Sequence, residues 1–149
     1  MELFGNMNFE YRKVISLIAE IKEQANSFIV SRMKNLGIEG LVTSHGNIMG
    51  LLYVKGPCRM ADIAQKINRK KNTVTTLINK LLDHGYVEIT PDINDNRVKM
   101  VSLTSKAMEI KDDFFIIAEE LIETTFAGIE EEQRYEIWKY LKKIKENLS

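Results

Sequence analysis

Three consecutive basic residues, Arg69, Lys70 and Lys71, begin a segment with the apolar period of an α-helix. The apolar residues at helical spacing are Val74, Leu77, Ile78, Leu81 and Leu82. The start of a helix is the positive end of its dipole, where acidic residues are normally favoured and cations are repelled. A DNA-recognition helix places its first turn against bases and phosphates, which would neutralise these charges. The segment therefore predicts phosphate binding.

The polar face of the same helix carries side-chain types that can read base edges. Lysine binds guanine acceptors, asparagine pairs with adenine, and the threonine methyl group packs on the thymine methyl group. The predicted DNA contacts of this helix are Arg69, Lys70, Lys71, Asn72, Thr73, Thr75, Thr76, Asn79 and Lys80. The alternative is a solvated amphipathic helix with incidental lysines, and the features that follow argue against it.

A β-hairpin is predicted directly after this helix. "YVEIT" and "VKMVSL" are rich in β-branched residues, and "PDINDN" between them has turn composition. Asp95 and Arg97 lie near the tip, where a carboxylate can orient a guanidinium toward a minor groove. We predict that both residues contribute to DNA binding.

Charge is unevenly distributed along the 149 residues, although the formal net charge is zero. Residues 59–106 contain nine basic and five acidic residues, a net charge of +4, whereas the rest of the chain carries 12 basic and 16 acidic residues, a net charge of −4. A basic middle between acidic ends is typical of a segment that faces a polyanion. No apolar run is long enough to span a membrane, and we expect an intracellular, cytoplasmic protein.

The sequence shows no phosphate loop, metal motif, or grouping of nucleophile, base and orienting residue. We therefore predict no catalytic residue, metal or cofactor. The single cysteine, Cys58, is interpreted as a packing residue, with a redox-sensing thiol as the less favoured alternative.

The elements around these residues follow from apolar period and turn composition. Helices are predicted from Asn8 to Lys34, from Ser44 to Val54 with Thr43 or Ser44 as N-cap, and over "MADIAQKIN". "KGPCR" is predicted to be a turn, Asn68 to cap the basic helix, and Gly85 to terminate it. Two further helices are predicted over 105–128 and 130–148, and Glu130, Glu131 and Glu132 suit the start of the last one.

The predicted fold is mainly α with a small β-hairpin wing: a winged helix-turn-helix lobe with additional N- and C-terminal helices. "MADIAQKINRKKNTVTTLINKLLDHGYVEITPDINDNRVKMVSLT" resembles the winged-helix core of the MarR family of bacterial transcription regulators. The residues in register are Thr73-Val74-Thr75, Leu77-Ile78, Leu81, Gly85, Tyr86-Val87, Asp95-Asn96-Arg97 and Leu103-Thr104. Lys70 stands where the family often has an acidic or hydroxyl cap, and Arg59 where a threonine or serine commonly caps the preceding helix.

The resemblance implies a single MarR-like domain over 1–149, with dimerisation helices at 8–34 and 105–149 and a winged lobe at 44–104. It also implies an obligate homodimer that binds a palindromic DNA operator. The predicted dimerisation residues are Phe9, Ile18, Ile137, Leu141 and Ile144. Packing of these residues within one chain is the alternative, and we favour the contact between subunits because terminal helices this apolar have little else to pack against.

The resemblance further implies a pocket for a small aromatic or apolar effector, with Phe28, Met33, His45 and Tyr53 as its predicted lining. A lone histidine is more often a structural hydrogen-bond partner than a ligand-binding residue, and for His45 we favour the structural role. The preferred function is a dimeric DNA-binding transcriptional regulator that acts as a repressor. A winged-helix protein-interaction module, such as an adaptor or antirepressor, is the first alternative, and an enzyme is the second.

Overall fold

The computed structural model of the protein describes residues 9–149 and divides into two compact units. The first unit ends at Asp113, and the second extends from Phe114 to Ser149. The predicted helix start at Asn8 lies outside the described residues. Among the described residues, no helix is both long enough and apolar enough to cross a membrane.

The first unit begins with a 3-10 helix, Glu10–Lys13, which continues into α1, Val14–Lys34. Gly37 follows α1 at φ 76°, and the Ile38 N–H donates to the Met33 carbonyl at 3.0 Å. This is a left-handed C-terminal cap, which glycine adopts without the steric cost of a Cβ.

Helix α2, Thr43–Lys55, starts at Thr43, so the predicted N-cap at Thr43 or Ser44 is wrong. Val42 is the N-cap, and its N–H donates to Nδ1 of His45 at 3.0 Å. Asn26 of α1 accepts hydrogen bonds from both the backbone N–H and the hydroxyl of Thr43. A histidine at the third helical position and a neighbouring helix thus replace the hydroxyl cap that local sequence suggested.

Helices α3, Met60–Ile67, and α4, Lys71–Asp83, form the predicted helix-turn-helix pair. Asn68 does not cap α4, contrary to prediction. It adopts the left-handed conformation at φ 55° and ends α3, with the Arg69 N–H donating to the Ala64 carbonyl at 3.1 Å. Asparagine is among the few non-glycine residues that tolerate this conformation, which explains its use here. Gly85, at φ 77°, terminates α4 as predicted.

The wing is a three-stranded antiparallel sheet in the order β1-β3-β2. The predicted hairpin is confirmed as β2, Val87–Pro91, and β3, Lys99–Leu103. The predicted "KGPCR" turn also contains a short strand, β1, Cys58–Arg59, whose Cys58 pairs with Val101. Apolar side chains from the helices and the sheet form the core of this lobe: Ile48, Leu52, Ile63, Val74, Ile78, Leu81, Val87 and Val101.

Helix α5, Ser105–Glu109, follows the wing, and the hydroxyl of Thr104 caps it by accepting from the Ala107 N–H. The helix is interrupted at Ile110. The single helix predicted over 105–128 is therefore two helices, α5 and α6, Lys111–Thr125. Helix α7, Glu131–Leu148, agrees with the prediction and begins with Glu131 and Glu132 in its first turn.

Candidate nucleic-acid interface

The start of α4 carries positive charge without a side-chain cap. Lys70 is the N-cap residue, in extended conformation at φ −64° and ψ 145°, and no side chain accepts the free N–H groups of the first turn. That turn contains no acidic residue. The first N–H groups of α4 therefore remain available to an anion, as at many phosphate-binding helix starts.

Arg69, Lys70 and Lys71 are all exposed to solvent. Within residues 9–149, none of the three forms an ion pair with a carboxylate. Their charges add to the positive end of the helix dipole, which costs stability in the isolated lobe. An external polyanion would remove this repulsion, and the arrangement fits DNA phosphate.

The outer face of α4 is polar along its length. Val74, Ile78 and Leu81 are buried on the inner face, which fixes the opposite face toward solvent. The exposed predicted contacts on the outer face are Lys71, Asn72, Thr73, Thr75, Thr76, Asn79 and Lys80.

Two threonines on this face are held by hydrogen bonds to their own helix. The Thr75 hydroxyl donates to the Lys71 carbonyl at 3.0 Å, and the Thr76 hydroxyl to the Asn72 carbonyl at 3.1 Å. These bonds use the hydroxyl proton and restrict the side-chain rotamer. The hydroxyl lone pairs and methyl groups remain for contacts with base edges, so thymine methyl groups are suitable partners.

Lys80 lies at the other end of α4 and has a structural neighbour. Its Nζ lies 3.1 Å from the position that a Cβ on Gly40 would occupy, and Nε2 of His84 lies 3.5 Å from the same position. Gly40 has φ 83°. The side chain of Lys80 therefore packs over the loop between α1 and α2, apart from the basic group at the start of α4.

Asp95 and Arg97 form a two-pronged ion pair near the tip of the wing. Oδ1 of Asp95 accepts from Nε of Arg97 at 3.1 Å, and Oδ2 accepts from a terminal guanidinium nitrogen at 3.1 Å. The guanidinium hydrogen bonds, followed by the bond from the Arg97 N–H, hold the pKa of Asp95 below its ordinary value. Arg97 has 90% of its side chain exposed, so this carboxylate orients an arginine that still faces solvent.

A second acidic residue of the wing, Asp92, is buried and was not singled out by the sequence. Its Oδ2 lies 2.9 Å from Nε of Arg59, and its Oδ1 accepts from the Asn94 N–H at 2.9 Å. Arg59 belongs to β1, so the ion pair connects the first strand to the start of the wing loop. The local signal was the Asp-x-Asn turn pattern, but the partner lies 33 positions earlier in the chain.

His45 is buried and already bonded at the start of α2. Burial, followed by nearby Lys80 and His84, lowers its pKa below 6.5. Nδ1 accepts a backbone N–H, which requires that nitrogen to be unprotonated. The structural role favoured for this histidine therefore has a defined partner.

The other three predicted effector residues are Phe28, Met33 and Tyr53. Phe28 is half-buried with the guanidinium of Arg32 over its ring at 4.5 Å, and Met33 is buried. The Tyr53 hydroxyl donates to the Ala107 carbonyl at 2.5 Å, and burial raises the pKa of Tyr53 to about 12. An effector pocket formed by these residues and His45 stays a prediction.

The predicted dimerisation residues differ in exposure. Phe9, Ile18 and Ile144 are half-buried, whereas Ile137 and Leu141 are exposed. None of the residues of α7 is buried, although this helix also carries Tyr135, Trp138, Tyr140 and Leu148. Helix α7 thus presents a large apolar surface in the single chain.

Cys58 is half-buried in β1, with its Sγ 3.3 Å from the Gly56 carbonyl oxygen. Burial, followed by the charge of Asp62, raises the pKa of the thiol. A thiol with a raised pKa holds less of the reactive thiolate. The described residues contain no group of three or more histidine, cysteine or acidic side chains arranged to hold a metal ion.

The order of α3, α4 and the sheet defines a winged helix-turn-helix protein. Residues 44–99 match the model of the MarR family of transcriptional regulators.

Relatives in sequence are HTH-type transcriptional regulators, and solved structures share the fold. The HTH-type transcriptional regulator YkoM of Bacillus subtilis is 28% identical over 64% of this chain, and the match spans 62% of YkoM, less than two thirds of its length. A MarR transcriptional regulator from Methanosarcina mazei has a TM-score of 0.72 and 26% identity, covering 91% of this chain and 96% of the other. BpsR of Bordetella bronchiseptica has a TM-score of 0.76 at 20% identity, covering 95% and 98%.

Proposed function

We propose that the protein binds double-stranded DNA in a sequence-specific manner and regulates transcription. The observation that carries this proposal is the start of α4, where three exposed basic side chains surround uncapped backbone N–H groups. The outer face of the same helix supplies polar groups for base edges, and the wing supplies the oriented guanidinium of Arg97. In this account, Arg69 to Lys71 bind phosphate, Asn72 and neighbouring residues read bases, and Arg97 enters a minor groove.

The proposed binding unit is a homodimer. Ile137 and Leu141 are exposed on α7, and Ile15, Leu17 and Ile21 are exposed on α1. A second copy of the chain would remove this apolar surface from water, which is favourable by about 25 cal/mol per Å². These exposed helices support the dimerisation regions that the family resemblance implies.

A two-fold symmetric dimer binds a site with matching symmetry. The proposed operator is therefore pseudo-palindromic, with the two copies of α4 in successive major grooves about one helical turn apart and the wings in the flanking minor grooves. If the operator lies within a promoter, the bound dimer would cover promoter DNA, and repression is therefore the proposed sign of regulation.

A small aromatic or apolar effector is the proposed release signal. BpsR, which shares the fold, has its DNA binding regulated by 6-hydroxynicotinic acid. In this chain a bound effector would act by changing the spacing of the two lobes, so that both could no longer dock at once. Phe28, Met33, His45 and Tyr53 are the residues proposed to line its pocket.

Selection from a random duplex library with the purified full chain tests this proposal. We expect a two-fold symmetric winning sequence, and we expect sedimentation of the complex to give two chains per duplex. A winning sequence without symmetry would contradict the dimeric operator. If no sequence is enriched and no DNA binds at low salt, the winged lobe serves a protein partner and the adaptor function replaces this one.

A further inference from the structure

The wing loop carries an isoleucine that is not packed against the rest of the protein. Ile93 is 99% exposed, and its neighbours Asp92 and Asn94 are fixed by hydrogen bonds. An apolar side chain with this exposure contributes nothing to the core in the free protein. From its position we infer that Ile93 is a DNA contact, packing its side chain into the minor groove beside Arg97. This inference rests on the proposed DNA-binding function.

The backbone around Ile93 is held in place before DNA arrives. Oδ1 of Asp92 accepts from the Asn94 N–H at 2.9 Å, so Ile93 is the middle residue of a turn closed by a side chain. The Asp92 N–H donates to the Val98 carbonyl at 2.8 Å, and Oδ2 of Asp92 is paired with Arg59 at 2.9 Å. The isoleucine is therefore presented on a loop that is anchored at its base.

The same loop carries the charge that would bring it to the groove. Arg97 is oriented by Asp95, and the Val98 N–H donates to the Asp95 carbonyl at 3.0 Å to close the other half of the loop. A narrow minor groove attracts a guanidinium, while its walls are sugar carbons that offer apolar surface. Isoleucine is among the side chains that minor-groove proteins insert at base steps, particularly at flexible pyrimidine–purine steps.

The side chain is well suited to this contact on entropic grounds. Isoleucine is branched at Cβ and has few rotamers, so little freedom is lost when it is buried. Nearly all of its apolar surface is available for burial by the ligand. A contact of this kind adds affinity without neutralising a phosphate, and this separates it from the contacts of the basic residues.

The experiment measures binding of an A·T-rich duplex with fluorescence anisotropy at several salt concentrations. Ile93→Ser is compared with the unchanged chain, with Ile93→Leu, and with Val54→Ser. Val54 is an aliphatic residue on α2 that is 71% exposed, so Val54→Ser removes exposed apolar surface outside the wing. All variants should keep the thermal midpoint of the unchanged chain, because both side chains lie on the surface.

We expect Ile93→Ser to weaken binding by about 5- to 30-fold. Full burial of an isoleucine side chain can raise affinity by up to about a hundredfold, and the serine loses much of this contribution. The dependence of affinity on salt should stay the same, Ile93→Leu should bind within about twofold of the unchanged chain, and Val54→Ser should bind normally.

Two results would overturn the inference in distinguishable ways. If the unchanged chain binds and Ile93→Ser binds equally well, Ile93 makes no DNA contact and the proposed function stands. If the unchanged chain binds no DNA, both the proposed function and this inference fail.

Discussion

Arg59 and Asp92 form an ion pair with 2.9 Å between Nε and Oδ2, and the side chain of Asp92 is only 9% exposed. The pair joins β1 to the start of the wing loop, and the same carboxylate also accepts the Asn94 N–H. The wing loop is thus held to the sheet by a group that lies outside the hairpin itself.

Replacing Asp92 by alanine should destabilise the lobe by about 1–3 kcal/mol, because the backbone N–H of Asn94 and the guanidinium of Arg59 both lose an acceptor. Urea unfolding measures this change. Arg59→Ala should cost less, because half of that side chain is exposed and solvent replaces part of the interaction. If the double variant loses as much free energy of unfolding as the two single variants lose together, Arg59 and Asp92 are not coupled.

Lys70→Asn should stabilise the free protein and weaken its binding to DNA. Asparagine at the N-cap can accept a helix N–H and removes one repelled charge, which together are worth about 1 kcal/mol. Loss of the lysine removes a phosphate contact, so the affinity for DNA falls. Thermal unfolding and DNA titration of one preparation measure both effects.

Lys34→Asn is the matched control, since Lys34 is the last residue of α1, where a cation is favoured. The same substitution there should lower stability slightly and leave the DNA affinity unchanged. If Lys70→Asn instead lowers the stability of the protein, the positive charge at the start of α4 does not destabilise the free protein.

Arg97→Ala should weaken binding to selected and generic duplexes alike, by about tenfold or more, and should leave the proposed dimer intact. Titration of both duplexes measures the loss, and a wild-type affinity would remove the wing from the interface. The same variant should raise the pKa of Asp95 toward 3.8, because the guanidinium hydrogen bonds are the first cause of its lowered value. The carboxyl carbon chemical shift reports this pKa.

His45 should make stability fall in acid. Its pKa is lowered in the folded protein, so its contribution is complete above 6.5 and is lost as the pH falls below that value toward the folded pKa. His45→Gln keeps an acceptor that can reach the N-cap N–H but does not titrate. Urea unfolding above and below pH 6.5 should show that the variant loses less free energy of unfolding in acid than the unchanged chain. An equal loss would assign the pH dependence to other groups.

The sequence predicted most of the helices because their inner faces repeat over several turns, as Val74, Ile78 and Leu81 do in α4. It also predicted the hairpin, whose strands are separated by strong turn residues. It missed β1, because a two-residue strand has no period and its partner Val101 lies far along the chain. Asn68 favours both an N-cap and the left-handed conformation, and only the packing of α3 against α4 selects between them.

In the candidate site, too, features formed by residues close in sequence could be predicted, and features formed by distant residues could not. The basic residues before α4 and the pair of Asp95 and Arg97 are close in sequence, so their proximity could be read directly. The anchoring of Asp92 by Arg59, and the packing of Lys80 over Gly40, depend on elements brought together by folding. The exposure of Ile93 likewise becomes visible only when the wing loop is closed.

The salt dependence of DNA binding tests whether the basic residues at the start of α4 bind phosphate. The selected duplex is titrated with the unchanged chain and with a variant in which Arg69, Lys70 and Lys71 are all replaced by alanine. We predict a steep fall of affinity with salt for the unchanged chain, and a slope reduced by about 0.9 for each phosphate contact removed. Equal slopes and equal affinities for the two proteins would show that the uncapped start of α4 makes no contact with DNA.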